Sequence, residues 1–341
     1  MWPYRITAAL VGVVVLGALF GCSGTRPSTP ATTPPVAAST YTLITEPEAG
    51  YQPVYDFISA AKTSIDMTMY NLSDTTATAA LIADEKRGVN VRVLFDSNTN
   101  GGGNNGMNQA AAKDLKSNGV DVAWSWPGVL WHQKSIVRDG TAVAIMNCNL
   151  YSPYYSILRD FIVITDHLPT VRGVQATFDA DFNNTSVAPA TGVVPASSEL
   201  LWSPGAQTGL VDLIASAQPG TTLYNETEQL NDPTIEQALI AAAKKGVTVN
   251  VTMTSSPYWT SAFKTLKAGG VHVSLYASGA PLYIQAKAIS VNNDTVYIGS
   301  TNETTSSISA DRNVGIITKN PTVVRGMTST LASDFAGATP Y

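Results

Sequence analysis

The sequence is poor in cysteine, in basic residues and in long apolar runs, and each shortage narrows what it can be. Two cysteines stand in 341 residues, Cys22 and Cys148. A disulfide-stapled scaffold is excluded, so stability has to come from a buried core. Roughly 300 residues suffice for one large core or two lobes. Lysine and arginine number 20 against 25 acidic residues, for a formal net charge of −5, and no Lys/Arg run is present. A polynucleotide binder takes most of its affinity from phosphate neutralisation along a basic stripe, so nucleic acid is disfavoured as a partner. The apolar stretch from Ile6 to Phe20 falls short of the roughly twenty residues that a membrane span needs.

That stretch follows Arg5, is broken only by Thr7, and runs into Leu19-Phe20-Gly21-Cys22. Positive charge, a short apolar core and a small residue before a cut site are the parts of an export signal, here residues 1–21. A cysteine behind Leu-x-Gly resembles the bacterial lipobox. That resemblance implies a diacylated Cys22 and a protein held by lipid to the cell membrane or outer membrane, facing away from the cytoplasm. Cys148 then has no partner and is expected as a small buried filler. Residues 22–40, rich in Pro and Thr and without hydrophobic period, read as an extended, solvated tether.

Beyond the tether the chain repeats itself. Ser64 to Tyr70 reads as a strand, Thr78 to Lys86 as a helix ending on Arg87-Gly88, and Val89 to Leu94 as a second alternating strand. Thr222 to Glu226, Pro233 to Lys244 with Lys245-Gly246, and Val247 to Val251 repeat that order. A helix closed by basic residues and Gly between two strands is a βαβ unit. Leu115 to Val122 matches Leu266 to Val273, and each half closes on a helix, Val171 to Phe182 and Val323 to Phe335. A repeat this long means an α/β protein of two related lobes, 41–183 and 199–341, paired about a pseudo-twofold axis. The Ala/Pro/Thr/Ser-rich residues 184–198 connect them.

Near the end of the first lobe stand His132-Gln133-Lys134, Asp139 and Asn149; the second has Gln285-Ala286-Lys287, Asn292 and Gly299-Ser300-Thr301-Asn302. His132 and Gln285, Asn149 and Asn302, and Asp160 and Asn313 are each 153 residues apart. The pattern resembles the phospholipase D superfamily motif, His-x-Lys, four residues, Asp, six residues, Gly-Ser-x-Asn. The first copy departs from it by Met146-Asn147 in place of Gly-Ser. The second has Gln for His and Asn for Asp. The resemblance covers nearly all of the chain beyond the tether. It implies a two-lobed α/β/α fold with mixed sheets flanked by helices, both motifs meeting at the interlobe cleft.

It also implies a chemistry. In the family one His attacks phosphorus to give a phosphohistidine, the other protonates the leaving group, and Lys and Asn from both lobes hold the non-bridging oxygens without a metal or other cofactor. Carried onto this sequence, His132 is the nucleophile and Asp160 fixes its tautomer. Lys134, Lys287, Asn149, Asn302, Ser300 and Gln285 surround the phosphate, with Asp139 and Asn313 in supporting places. Gln285, Asn292 and Asn313 keep hydrogen-bonding shape while losing titration, so the second half-site reads as converted from proton donor to phosphate binder. Glu226 or Glu228, on the strand of the second lobe that faces the cleft, could replace the missing acid.

Around these residues, Tyr70, Trp124, Trp126, Trp131, Tyr151, Tyr154 and Tyr155 are candidates either for lining a cleft or for core packing. His167 and His272 read as structural or exposed, and the glycine-rich run from Asn100 to Gly106 as a surface loop, since no Lys-Ser/Thr follows it. Two functions remain in view. One is a phosphodiesterase acting on a phospholipid head group or another envelope phosphodiester, expected as a monomer. The other is a catalytically impaired module that binds phosphate-bearing lipid or polymer. An intact His132 favours the enzyme, because a pure binder has no use for an oriented nucleophile.

Overall fold

The structure, a computed structural model, describes residues 38–97 and 106–341. The export signal, Cys22, most of the tether and nearly all of the glycine-rich run lie outside the described residues. The first lobe runs β1 (Tyr41–Glu46), α1 (Gln52–Ser59), β2 (Ser64–Met69), α2 (Thr75–Lys86), β3 (Asn90–Phe95) and α3 (Gly106–Ser117). It continues through β4 (Asp121–Trp124), β5 (Lys134–Arg138), β6 (Ala142–Met146), β7 (Leu158–Thr165) and α4 (Leu168–Asn183). The second lobe opens with β8 (Leu200–Ser203), α5 (Ala206–Ala215), β9 (Thr222–Thr227), α6 (Pro233–Lys244), β10 (Thr248–Thr254), α7 (Thr260–Ala268) and β11 (His272–Tyr276). It ends with β12 (Tyr283–Ile284), β13 (Lys287–Val291), β14 (Thr295–Gly299), α8 (Thr305–Ser309), β15 (Asn313–Thr318), α9 (Pro321–Gly337) and β16 (Thr339–Pro340).

The two sheets have the same topology. Their orders are β1-β7-β6-β5-β2-β3-β4 and β8-β15-β14-β13-β9-β10-β11, the second extended by β16. Within each, the βαβ strands β2-β3-β4 and β9-β10-β11 run parallel and the remaining pairs of these orders antiparallel, so both sheets are mixed; β12 of the second lobe pairs in parallel with β7 of the first. The repeat is therefore longer than the segments that reveal it in the sequence, taking in β1-α1 and β8-α5 as well. Local chemistry is duplicated too. The Asp74 carboxylate caps α2 and the Asp232 carboxylate caps α6, each accepting from two backbone amides of the first turn. Gly88 and Gly246, at φ 92° and 94°, supply the left-handed turn that leads from each helix into the next parallel strand.

The lobes share a core. Val137, Ile145, Phe161, Val163 and Val174 of the first pack in one buried cluster with Ile284, Val296, Ile298, Val314 and Met327 of the second. Ser39–Tyr341 forms a single compact unit as a result. Two ion pairs cross the seam in matching places. Arg159 on β7 meets Asp334 on α9, and Arg312 beside β15 meets Asp181 on α4. Arg159 also reaches Glu48, whereas the Arg312 guanidinium lies near the rings of Trp131 and Trp202. Among the described residues, no helix is long and apolar enough to cross a membrane.

Asp139 and Asn292 belong to the fold and not to the site. Each sits at positive φ, 54° and 56°, in the turn at the far end of the motif hairpin. Asp139 Oδ1 accepts from the amides of Lys62, Thr63 and Ser64 at the start of β2, while Asn292 Oδ1 accepts from Gln218 N and Thr221 Oγ1 before β9. Burial raises the proton affinity of Asp139, but those amides outweigh it and hold the carboxyl below its ordinary value. The Asp-to-Asn change at 292 therefore alters a turn, because a carboxamide oxygen accepts the same bonds.

Candidate functional site

The βαβ strands carry the chain to one end of each sheet, and both motifs lie there. Lys134 opens β5 opposite Met69 at the end of β2, and Lys287 opens β13 opposite Thr227 at the end of β9. A polar cleft of about 280 Å³ is lined by Tyr70, Asn71, Leu130, His132, Asn149, Glu228, Gln229, Gln285, Lys287, Asn302, Thr304, Ser306, Ser307 and Asp311. Ligands of open sheets collect beyond the carboxyl ends of parallel strands, and this cleft has that position. Two larger hollows, about 490 and 500 Å³, contain no residue of either motif.

His132 is 8% exposed, and its orientation is set from the other lobe. Nδ1 lies 2.9 Å from Ser300 O and 3.2 Å from Asn313 Oδ1. The Asn313 amide is oriented in turn, Nδ2 donating to Ser307 O and Oδ1 accepting from Ser300 Oγ. Both neighbours of Nδ1 are acceptors, so Nδ1 carries the proton and donates, leaving the Nε2 lone pair for the cleft. Burial, followed by the charges of Lys134 and Lys287, pushes the imidazolium well below its ordinary range, so the ring is neutral at pH 7. The Tyr70 ring stands edge-on to it at 4.8 Å.

Asp160 does not orient His132, which corrects the expectation drawn from its spacing. The start of β7 pairs with β12 just ahead of Gln285, and Arg312, just ahead of β15, is bridged to Trp131 just ahead of His132, so each strand delivers its residue to the half-site of the opposite lobe: Asn313 to His132, and Asp160 toward Gln285. Arg312 N donates to Leu130 O just before His132, and Gln285 N donates to Arg159 O just before Asp160. Asp160 is completely buried, and neither carboxylate oxygen has a hydrogen-bond partner among the described residues. Burial raises its pKa well above the ordinary value, against the pull of Lys287. It is an orienter whose histidine is missing.

The two lysines are buried, 1% and 2% exposed, with different partners. Lys287 Nζ lies 2.7 Å from Glu228 Oε2 and donates to Gln285 O. Lys134 Nζ donates to His132 O and sits 4.9 Å from the Tyr70 ring centroid, with no carboxylate in hand. Burial first, and Lys287 second, push the Lys134 ammonium well below its ordinary range. An anion arriving in the cleft would favour its charged form. The side-chain oxygens of Asn149, Asn302 and Gln285 have no hydrogen-bond partner among the described residues, and a phosphate oxygen would take the N–H donors of the same amides.

The lost Gly-Ser of the first lobe has a packing explanation. A Cβ on Gly299 would fall 2.5 Å from Gly315 Cα and 2.6 Å from the Tyr297 hydroxyl, so glycine there makes room for Tyr297. At the equivalent places the first lobe has Met146, Ile162 and the small Ala144. Asn147 does the backbone work of Ser300: its Oδ1 accepts from Phe161 N as Ser300 Oγ accepts from Val314 N.

Other expectations sort themselves by place. Of the aromatic candidates, Tyr70 lines the cleft, and Tyr151 and Tyr154 line an adjoining hollow of about 360 Å³ with Tyr283, Ile157 and Leu158. Trp131 is buried, and Tyr155 stacks on Tyr51. Glu226 lies inside the protein, 1% exposed, while Glu228 reaches the cleft. His167 and His272 line no part of the cleft, and Cys148 is a buried free thiol. Sequence reasoning passed over Asn71 and Gln229, although the repeat places each one residue beyond Tyr70 and Glu228. It also passed over Asp311, which burial raises to about 6. Among the described residues no group of three or more His, Cys, Asp or Glu is placed to hold a metal ion.

A neutral imidazole facing a cleft with two buried lysines and unpartnered carboxamides, built from two repeats, defines a two-lobed phosphodiester-handling protein. A family model described as "Cardiolipin synthase, PLD-like domain" matches residues 54–182 and 210–335, and the chain belongs to this phospholipase D-like family, which transfers or hydrolyses phosphodiesters. The major cardiolipin synthase ClsA of Bacillus subtilis (strain 168) is 23% identical over 341 residues, 86% of this chain and 68% of that protein. Among solved structures, phosphatidylserine synthase of Haemophilus influenzae Rd KW20 is similar in fold, with a TM-score of 0.67 at 13% identity, over 88% of this chain and 87% of that one. Polyphosphate kinase from Porphyromonas gingivalis matches with a TM-score of 0.64 at 16% identity over 86% of this chain, which spans 50% of the kinase's length.

Proposed function

We propose that the chain is a phospholipase D-type enzyme that opens the phosphodiester of a phospholipid head group, or another envelope phosphodiester, through a phosphohistidine at His132. The observation that carries this reading is the imidazole itself: neutral, with Nδ1–H given to Ser300 O and Asn313 Oδ1, so that Nε2 is the nucleophile. Lys287 and Lys134, with the Asn149 and Asn302 amides, would take the non-bridging oxygens and stabilise the charge that builds up as phosphorus is attacked. Water or an alcohol would then remove the phosphoryl group from His132. The similarity to proteins named as cardiolipin and phosphatidylserine synthases supports a phospholipid as substrate.

The competing reading is a module that binds phosphate without turning it over, favoured by Gln285 in the second histidine's place. A tautomer fixed by two acceptors argues for the enzyme, because phosphate can be held by cations and amides alone. The test is trapping. Protein incubated with bis(p-nitrophenyl) phosphate and quenched in alkali should carry an acid-labile nitrophenyl-phosphoryl group on His132 by mass spectrometry. His132→Ala should keep its fold and melting temperature while losing the adduct and nitrophenolate release by about 10³-fold or more. Folded wild type with neither adduct nor release would give the binding module preference.

A further inference from the structure

We infer that Glu228 is the proton-transfer residue of the altered half-site, giving a proton to the departing alcohol oxygen and later taking one from the attacking water. The inference rests on the phosphodiesterase reading above. Its ground is the repeat. Ser64 and Thr222 open equivalent strands, and Asp74 and Asp232 cap the equivalent helices, each pair 158 residues apart. Glu228 is thereby the counterpart of Tyr70, whose ring touches His132 at 4.8 Å. The place of Glu228 is accordingly beside Gln285, across the phosphate site from the nucleophile, where an in-line leaving group departs.

The contacts agree with that placement. Glu228 N donates to Ala286 O at 3.0 Å, which fixes the backbone against the residue after Gln285. Oε2 accepts from Lys287 Nζ at 2.7 Å, leaving Oε1 for a ligand, and the side chain is 17% exposed. Glu228 lines both the polar cleft and the tyrosine-lined hollow, which meet at Asn149, Glu228 and Gln285. An alcohol in the hollow and a phosphate in the cleft would join at this carboxyl group. The other cleft carboxylate, Asp311, is on the wrong side: its counterpart Leu158 lies beside Gln285, which puts Asp311 with His132.

The proton balance closes. As His132 Nε2 bonds to phosphorus, the bond from phosphorus to the alcohol oxygen breaks, its electron pair stays on that oxygen, and the Glu228 proton goes there. Water then attacks phosphorus, one of its protons goes to the Glu228 carboxylate, and the electrons of the P–N bond return to Nε2. One water is consumed, an alcohol and a phosphomonoester leave, and both residues regain their starting forms. A phosphodiester anion set against Lys287 competes with Glu228 for its ammonium.

Leaving-group dependence tests this. Glu228→Gln should slow turnover of diphenyl phosphate, whose phenolate needs the proton, by about 10²-fold or more. On bis(p-nitrophenyl) phosphate the same variant should release a burst of one nitrophenolate per chain and then stall, because attack proceeds and hydrolysis of the phosphohistidine does not. Glu228→Ala should regain turnover with added formate, which guards against a variant that is merely misfolded. Equal, burst-free losses on both esters without formate rescue would make Glu228 only a neighbour of Lys287 and overturn the proton-transfer role. A wild type that releases nothing overturns the phosphodiesterase reading itself, and this role with it.

Discussion

Around the cleft, the His132 and Gln285 half-sites rest on the same strands in the same order, and both keep the lysine two residues on, yet they differ in what can titrate. On one side a histidine faces a carboxamide, Asn313; on the other a glutamine sits toward a carboxylic acid, Asp160, that has nothing to orient. Each half-site has lost one member of a histidine-carboxylate couple, and not the same member. What survives is a neutral nucleophile without a carboxylate behind it, and a buried acid without an imidazole in front. A change of this kind leaves the phosphate-holding groups in place and weakens proton transfer selectively. Glu228 then matters because it lies on the depleted side.

The comparison can be broken or sharpened, and the largest effect expected is the loss of turnover in His132→Ala, by about 10³-fold or more, set against Gln285→Ala, which removes no titrating group. Next is repair. In a Glu228→Gln background, Gln285→His should recover about tenfold or more of diphenyl phosphate turnover, because Asp160 already waits to support the ring. Adding Asp160→Asn should remove that gain; if the gain persists, the exchange of orienters between lobes is not what supports it.

Stability separates the lobes by a smaller margin. Asp181→Ala strips the buried Arg312 of the one ionic partner it has among the described residues, an expected cost of about 3–5 kcal/mol by urea unfolding. Asp334→Ala should cost less, since Arg159 keeps Glu48. Equal losses would mean that the exposed Glu48 contributes nothing. The smallest effect is a displaced pH limb. His132 must be unprotonated to attack, and its proton affinity is depressed by burial and by two lysines, so wild-type activity should hold well below the ordinary histidine range as pH falls. Asn313→Asp favours the imidazolium and should move that acid limb upward toward neutrality, which a pH series of kcat/KM reads directly.

The lobes, the βαβ units and the places of His132, Lys134, Asn149, Lys287 and Asn302 are written in the sequence, because a duplicated hydrophobic period and a constant spacing survive divergence. Tertiary structure alone decided which residue serves which. Spacing makes Asp160 and Asn313 equivalent but says nothing about partnership, and the pairing of each strand's start with the other lobe, β7 with β12 and Arg312 with Trp131, sends each across the seam. The same limit hid Asp139 and Asn292, motif residues by spacing and turn residues in fact, since a side chain's role depends on which end of its hairpin faces the cleft. It hid Glu228 as well. Nothing local distinguishes it from Glu226, but two residues along a strand turn one carboxyl into the core and leave the other at the strand's end, against Lys287 and open to the cleft.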